Sequence, residues 1–475
     1  MDPPSPDAEL PPEFAEFLRT IFGEQAEEML QGMRQAGFDP NQLLAQAGLP
    51  ANPATMGMIL DQVKRMLSGG GSGEVINWEL AYNTARQVSA GSGPDPSIHP
   101  SQTGAVDKAI RLADLWLDQV VEFPAAGGQI QALSSATWIE ATWPHWRDIT
   151  APVATSVIET VTELLTQQGL AHPSQAEQLD QASPMFQQVT GSLFAVQIGQ
   201  AVGTISRDVF GLTDTGLALG PGRTMALLPT RVEAFAADLD LPPNDVRLFL
   251  ATREAAHARL FAAVPWLADH MFGAVEAYAS GISIDIELME RALESLDLSD
   301  QSSIGQALAS GVFAPSVTQS QRVALDRLET ALALVEGWVD VVSAKACDSV
   351  LAPLGPLREM IRRRRAVGGP AEKTFTTLLG LEMRPRRARE ATRLWADVTK
   401  RLGSAARDEI WAHPDFLPTA EDLTAPDTFV ERREAQQAAD AAVDAELEAL
   451  LQELGQGPGA EGDPSDGGAG EDSNP

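Results

Sequence analysis

Apolar residues recur at helical spacing along most of this chain, from residue 105 to about residue 453. This spacing places them on one face of successive helices, so it predicts a mainly α, multi-helix fold with little β structure. The run 317–350 predicts a long helix that ends before Pro353. Only the segment 216–228, with Gly-Pro-Gly at its centre, looks extended, and it predicts a hairpin or an edge strand.

Composition divides the chain into four parts. Residues 1–67 predict a helical N-terminal appendage, and residues 68–74, which are almost all Gly and Ser, predict a linker. Residues 75–454 form the predicted helical main domain, in which Gly199 and Gly203 indicate close packing between helices. Residues 455–475 are rich in Gly, Pro, Asp and Glu, which predicts a disordered acidic tail.

The chain is strongly acidic, with a formal net charge of −32. Nucleic acids and anionic membrane surfaces would repel it, so neither is expected as a partner. No apolar run reaches the ~18 residues of a membrane span, and the first residues do not resemble a signal peptide, so we expect a cytoplasmic protein. The single cysteine, Cys347, cannot form an internal disulfide, and its apolar surroundings predict a buried structural thiol.

The pattern with the most chemical meaning is Arg253-Glu254-x-x-His257. Two prolines and an asparagine at 242–244 predict the start of its helix, and Pro265 predicts its end. On that helix Glu254 and His257 point the same way. A neutral imidazole there can bind a metal ion, and the carboxylate can take a proton from metal-bound water.

One ligand of the zinc-peptidase pattern is missing from this run. In H-E-x-x-H both histidines bind zinc and the glutamate is the general base. Arg253 occupies the place of the first histidine, and a guanidinium has no lone pair for a cation. An ordinary helix is therefore the alternative, with Arg253 and Glu254 on a solvated charged edge and His257 half-buried.

Other side chains give weaker signals. His145, His270 and His413 are candidates for a further metal ligand, although each suits a packing or loop position equally well. The three tryptophans around His145 predict core packing in preference to a substrate platform. The arginine run 362–365 predicts internal pairing with carboxylates in preference to a nucleic-acid contact.

The segment 253–267 resembles the actinobacterial zincin-like proteins of the DUF2342 group. That group is described as zinc-dependent metalloproteases or hydrolases, and a sister branch is associated with coenzyme F420 biosynthesis. Further segments agree with the group in the same order, so the resemblance spans about residues 75–395. These segments are Ile76-Asn77-Trp78-Glu79-Leu80-Ala81, Gln197-Ile198-Gly199-Gln200-Ala201-Val202-Gly203, Leu334-Val335-Glu336-Gly337-Trp338-Val339-Asp340 and Gly380-Leu381-Glu382-Met383-Arg384-Pro385.

The resemblance implies a mostly helical zincin-like domain that holds Zn²⁺ and cleaves a peptide or protein substrate. Carried over residue by residue, it makes Glu254 the general base, His257 a zinc ligand and Glu336 the candidate for a further ligand. Two positions depart from the pattern, since Arg253 replaces the first histidine and Trp338 stands where the sister branch has histidine. The two ligands that remain are one short of the three usual for catalytic zinc.

Two functions therefore stay open. The chain is either a zinc-dependent peptide hydrolase with a degenerate motif, or an inactive zincin-derived binding or scaffold protein without metal. In the second case Arg253 pairs with Glu336 or another carboxylate and replaces the charge of the cation. A third interpretation, an enzyme that acts on coenzyme F420 or its precursors, rests on the sister branch alone.

Overall fold

The computed structural model describes residues 76–171, 176–281, 318–366 and 387–455. The predicted appendage (1–67), the linker (68–74) and the tail beyond residue 455 lie outside these described residues. The segment 380–385 that contributes to the family resemblance lies outside them as well. The division of the chain into four parts therefore stays a prediction.

Helices dominate the described residues, which confirms the mainly α prediction. The long helix predicted at 317–350 is present, and a capping box formed by Thr318 and Gln321 closes its first turn. In chain order the α-helices are α1 (Trp78–Gly91), α2 (Pro100–Leu117), α3 (Ser135–Ala171), α4 (Ala176–Ile205), α5 (Pro229–Leu239), α6 (Pro243–Ala263), α7 (Trp266–Ser280), α8 (Gln319–Cys347), α9 (Leu354–Ala366), α10 (Arg387–Glu409), α11 (Ala420–Thr424) and α12 (Phe429–Gly455). Three short 3₁₀ helices accompany the last of these, at Ile410–Ala412, Pro414–Phe416 and Pro426–Thr428.

The described residues contain one small sheet of two strands. Strand β1 (Ile130–Ala132) pairs in parallel with β2 (Met225–Leu227). Of the two alternatives for 216–228, the edge strand is confirmed and the hairpin is wrong. The residues just before β2 form a turn, in which the Thr224 amide donates to the carbonyl of Pro221, and they form no strand of their own. Strand β2 takes its partner strand from a distant part of the sequence, and an isolated antiparallel bridge joins its Leu227 to Gly211.

Helix α6 lies at the centre of the fold, packed against α2, α5, α8 and β2. Every residue from Phe249 to Leu260 is buried. Several of these residues are alanines, whose short side chains let neighbouring elements approach from more than one side. The same stretch also buries Arg253, Glu254 and Arg259, and buried charges need partners inside the protein.

Arg259 fixes α6 to α2. Its guanidinium donates to the carboxylates of Asp114 at 3.0 Å and Asp118 at 2.7 Å, and to the carbonyl of Phe123 at 3.1 Å. These bonds satisfy a side chain that is only 1% exposed. They also set which face of α6 is turned toward α8.

A second buried cluster joins α8 to α10. Arg407 and Asp408 form an ion pair at 2.7 Å, and the indole N–H of Trp338 donates to the same Asp408 oxygen at 2.9 Å. Trp338 is fully buried. Trp338 therefore serves packing and hydrogen bonding in this chain.

Several predictions about single residues are confirmed. Cys347 is buried, and burial raises the pKa of its thiol to about 11. Trp138 and Trp146 are fully buried and lie with ring centroids 6.4 Å apart, as expected for core residues. Within the described part of the chain, no helix combines the length and the apolar content that crossing a bilayer requires.

Helices α1 and α4 meet closely at two glycines. A Cβ atom on Gly199 would lie 2.4 Å from the carbonyl oxygen of Ala81, and one on Gly203 would lie 2.6 Å from that of Ala85. No methyl group fits at these distances, so the predicted close packing at both glycines is confirmed.

Gly199→Ala is expected to lower the free energy of unfolding by about 1–3 kcal/mol, because the new methyl group overlaps backbone that cannot move alone. The matched control is Gly273→Ala on α7, where a new Cβ meets nothing within 4 Å. Because alanine has a higher helix propensity than glycine, the free energy of unfolding of the control should rise by up to about 1 kcal/mol. Urea unfolding followed by circular dichroism measures both free energies. An equal change in the two variants would contradict the close approach of α1 to α4.

Candidate functional site

Three helices converge on one buried carboxylate. Helix α6 contributes Arg253 and His257, α8 contributes Glu336, and α9 contributes Arg365. The residues Arg253, His257 and Glu336 are exposed by only 5%, 2% and 6%. The alternative of a solvated edge is therefore wrong, because Arg253, Glu254 and His257 are all buried.

Glu336 holds three partners on its two oxygens. Its Oε2 lies 2.8 Å from Arg253 Nη2, while its Oε1 lies 2.7 Å from Arg365 Nη2 and 3.2 Å from His257 Nε2. Charge-assisted bonds of this kind are the strong ones in proteins, and they suit a carboxylate that has lost its water. The ion pair between Arg253 and Glu336 is one of the pairings that the metal-free alternative left open.

Each ring nitrogen of His257 faces an acceptor oxygen. Its Nδ1 lies 2.9 Å from the carbonyl oxygen of Arg253, and its Nε2 faces the carboxylate of Glu336. Both neighbours are acceptors, so each bond forms only where the ring nitrogen concerned carries a proton. When Nε2 donates to Glu336 it has no lone pair left for a metal ion.

The electrostatics follow from these contacts. Burial alone would raise the pKa of Glu336, but the charges of Arg365, His257 and Arg253 together hold it well below its ordinary value. Burial lowers the pKa of Arg253, an effect that the charge of Glu336 opposes. The centre is therefore a carboxylate with an excess of positive charge around it.

A second layer of ion pairs surrounds this centre. Asp340 follows Glu336 by one helical turn and accepts from Arg358 and Arg362, both at 2.9 Å. The whole arginine run pairs internally, as predicted: Arg362 with Asp340, Arg363 with Glu359, Arg364 with Asp214 and Arg365 with Glu336.

Glu254 faces a different set of partners. Its Oε1 accepts from the amides of Leu212 at 3.2 Å and Ala226 at 3.1 Å. Its Oε2 accepts from the amide and the hydroxyl of Thr213 at 3.2 and 2.6 Å. These four donors fill the acceptor positions of a carboxylate. Glu254 thus fastens the loop before β2, and β2 itself, to α6.

Burial raises the pKa of Glu254, and the hydrogen bonds from Thr213 and Ala226 oppose that shift. A general base must present a free acceptor to the water that it activates. In this fold the acceptors of Glu254 are turned toward backbone amides.

The residues present do not fit a zinc ion. Of the two predicted ligands, His257 faces acceptors on both nitrogens and Glu336 is bound by Arg253 and Arg365. Two guanidiniums beside the carboxylate would repel a divalent cation. Among the described residues, no group of three or more His, Cys, Asp or Glu side chains is placed to hold a metal.

The three other histidines have different surroundings. His270 contacts Arg327 on α8, with 3.0 Å between His270 Nδ1 and Arg327 Nη2. His413 accepts from the amide of Asp415 and so caps a 3₁₀ helix. His145 lies within α3, and its Nδ1 is buried without a hydrogen-bond partner among the described residues.

The sequence and the fold both have known relatives. The family model described as zincin-like metallopeptidase matches residues 76–430. The chain belongs to the zincin-like metallopeptidase family. Among solved structures it is similar to that of "a putative hydrolase with a novel fold from Chloroflexus aurantiacus", at a TM-score of 0.53 and 18% identity, over 76% of this chain and 99% of that one. A likeness at this identity shows the fold alone. No curated protein matched the chain.

Sequence patterns missed three residues of the site in this zincin-like protein. Asp340 could have been found, because it lies four residues after Glu336 on the same face of a predicted helix. Arg365 belongs to the arginine run, but its partner could not be read from the sequence. Thr213 carries no signal, since it lies in an irregular loop that only the fold brings to Glu254.

Glu254→Gln is expected to lower the free energy of unfolding by about 2–4 kcal/mol, because a glutamine amide leaves buried backbone N–H groups without an acceptor. Glu140→Gln, an exposed position on α3, is the control and should change it by less than about 0.5 kcal/mol. Chemical denaturation measures both. A stable Glu254→Gln protein would mean that the carboxylate is not needed to hold the loop.

Glu336→Gln is expected to lower the free energy of unfolding by about 3–5 kcal/mol near pH 7, since it leaves buried cations without their counter-charge. The folded-state pKa of Glu336 lies below its unfolded value, so its contribution is complete above about pH 4.3 and is lost as the pH falls further. The difference in the free energy of unfolding between wild type and variant should therefore become smaller at acidic pH. Denaturation curves at several pH values test this, and a pH-independent difference would contradict the assigned ion pairs.

Proposed function

We propose that this chain is a metal-free member of the zincin-like metallopeptidase family that acts as a binding or scaffold protein. The observation that supports this most directly is the buried ion pair of Arg253 with Glu336. The narrower placement in the actinobacterial DUF2342 group belongs to the same proposal. It rests on the matching sequence segments.

Charge balance supports the proposal. A catalytic zinc would be held by Glu336 and His257 and would supply positive charge to them. Arg253 and Arg365 supply that charge through side chains fixed to the chain, at 2.8 and 2.7 Å from the carboxylate. A permanently charged, planar guanidinium is suited to this task. The negative charge of Glu336 is thus balanced without any ion from solution.

The hydrogen bonds of Glu254 support the metal-free function independently of the ion pairs. To act as a base, the carboxylate would have to release some of its four donors. Each bond to a charged group contributes about 1.5–3 kcal/mol, and buried amides left unpaired add a further penalty. Catalysis would therefore require the loop and β2 to detach from α6.

The other candidate is the zinc-dependent peptide hydrolase. Family membership is the observation in its favour, because the matched region includes the motif helix and the helix that carries Glu336. The two candidates differ in a directly measurable property, the metal content.

Protein purified without an affinity tag, in zinc-containing buffer, is expected to contain far less than one zinc per chain by mass spectrometry. Its melting temperature should not change on chelation, because no metal contributes to folding. About one zinc per chain, lost in His257→Ala but kept in His413→Ala, would instead support the hydrolase. The exposed His413 controls for zinc bound at the surface.

A further inference from the structure

A cleft opens to solvent beside the pair of Arg253 and Glu336, with a cavity volume of about 40 Å³. It lies between α8, α9 and the first turns of α10. Its charged lining consists of Arg253, Arg362, Arg365, Arg389, Glu336 and Asp340. The cleft therefore begins at the residues where the family pattern places a metal and reaches the surface.

The lining carries more positive than negative charge. Four guanidiniums face two carboxylates. One of those carboxylates, Asp340, is also paired with a further arginine, Arg358, from the neighbouring turn of α9. This excess is concentrated in one place on a chain whose net charge is −32. An opening of this kind focuses a positive potential toward solvent.

The arginines nearest the opening have donors that the described contacts do not use. Arg389 is exposed and makes no hydrogen bond or ion pair with any other residue that the structure describes. Arg362 is bound to Asp340 through Nη2. A guanidinium offers five N–H donors in a planar fork that matches the two oxygens of a carboxylate or phosphate.

The start of α10 adds to the same field. Helix α10 begins at Arg387, and residues of its first two turns, Ala388 and Thr392, line the cleft together with Arg389. The N-terminal end of a helix carries partial positive charge and favours an anion nearby. The N-terminal end of α10 and the arginines thus both favour an anion in the cleft.

We infer that this cleft is a binding site for an oxyanion group, a carboxylate or a phosphate, held by Arg389 and Arg362. The inference rests on the proposed function, since it takes the former metal centre to be a closed ion-pair cluster that forms the floor of the cleft. A ligand of this class adds the negative charge that the lining lacks. The carboxylate could belong to a peptide C-terminus or an acidic metabolite, and the phosphate to a nucleotide or a phosphorylated group.

Isothermal titration calorimetry with sodium phosphate and, separately, with N-acetylglycine tests the inference. All titrations use the full chain at equal ionic strength set with sodium chloride, because screening alone changes weak electrostatic binding. Binding of phosphate alone identifies a phosphate site, binding of N-acetylglycine alone identifies a carboxylate site, and binding of both identifies a general oxyanion site. An absence of binding by either probe up to about 10 mM, a range in which even weak sites are occupied, overturns the inference.

Variants locate the site. Arg389→Gln and Arg362→Gln are expected to weaken binding by about tenfold or more, the effect of losing one charge-assisted bond. Arg363→Gln is the matched control, because Arg363 has the same charge, lies on the same helix and pairs with Glu359 outside the cleft. Circular dichroism checks that each variant is folded, and the exposed Arg389 gives a variant that should not disturb folding. Equal affinity in wild type and Arg389→Gln, or an equal loss in Arg363→Gln, overturns the inference.

The same preparation is analysed for metal first, so the two proposals can fail separately. One zinc per chain overturns the metal-free function, and phosphate titrated into the chelated protein then still tests the cleft. A metal-free protein that binds neither probe overturns the cleft alone.

Discussion

The carboxylate of Glu336 is shared by Arg253, His257 and Arg365, and the meeting of α6, α8 and α9 depends on it. A buried ion pair is weak evidence for stability in itself, because its desolvation offsets much of its attraction. In this protein the buried ion pairs make the charged residues depend on one another. Each charge is acceptable inside the protein only while the others are in place, so the three helices fit together in one arrangement.

The two buried glutamates of the site occupy contrasting environments. Glu336 is surrounded by side-chain cations, which hold its pKa below the ordinary value. Glu254 is surrounded mainly by backbone amides and a hydroxyl, and burial raises its pKa. The first carboxylate joins helices to one another, whereas the second joins a helix to a loop and a strand. In a peptidase both groups would have to meet a metal and its water, and in this chain both face the protein.

The sequence predicts much of the fold and part of the site, and the features that it does not predict have physical causes. Helical periodicity and prolines predicted α6 and α8, because those signals are local. The motif indicated Glu254 and His257, but not their partners. The depth of α6 could not be predicted, since its alanines and charges together suggest an exposed helix unless the neighbours that cover it are known. The role of Thr213 depends on a loop conformation that no local pattern encodes.

The bonds between Glu254 and the backbone have a consequence for how such chains are classified. A residue whose loss would release a loop and a strand is kept for folding, whether or not any chemistry survives. The Glu-x-x-His half of a peptidase signature can therefore persist in a protein that has no use for a metal. In this chain the residue one position earlier, Arg253, is the informative one, because a guanidinium cannot bind a cation whereas a histidine can.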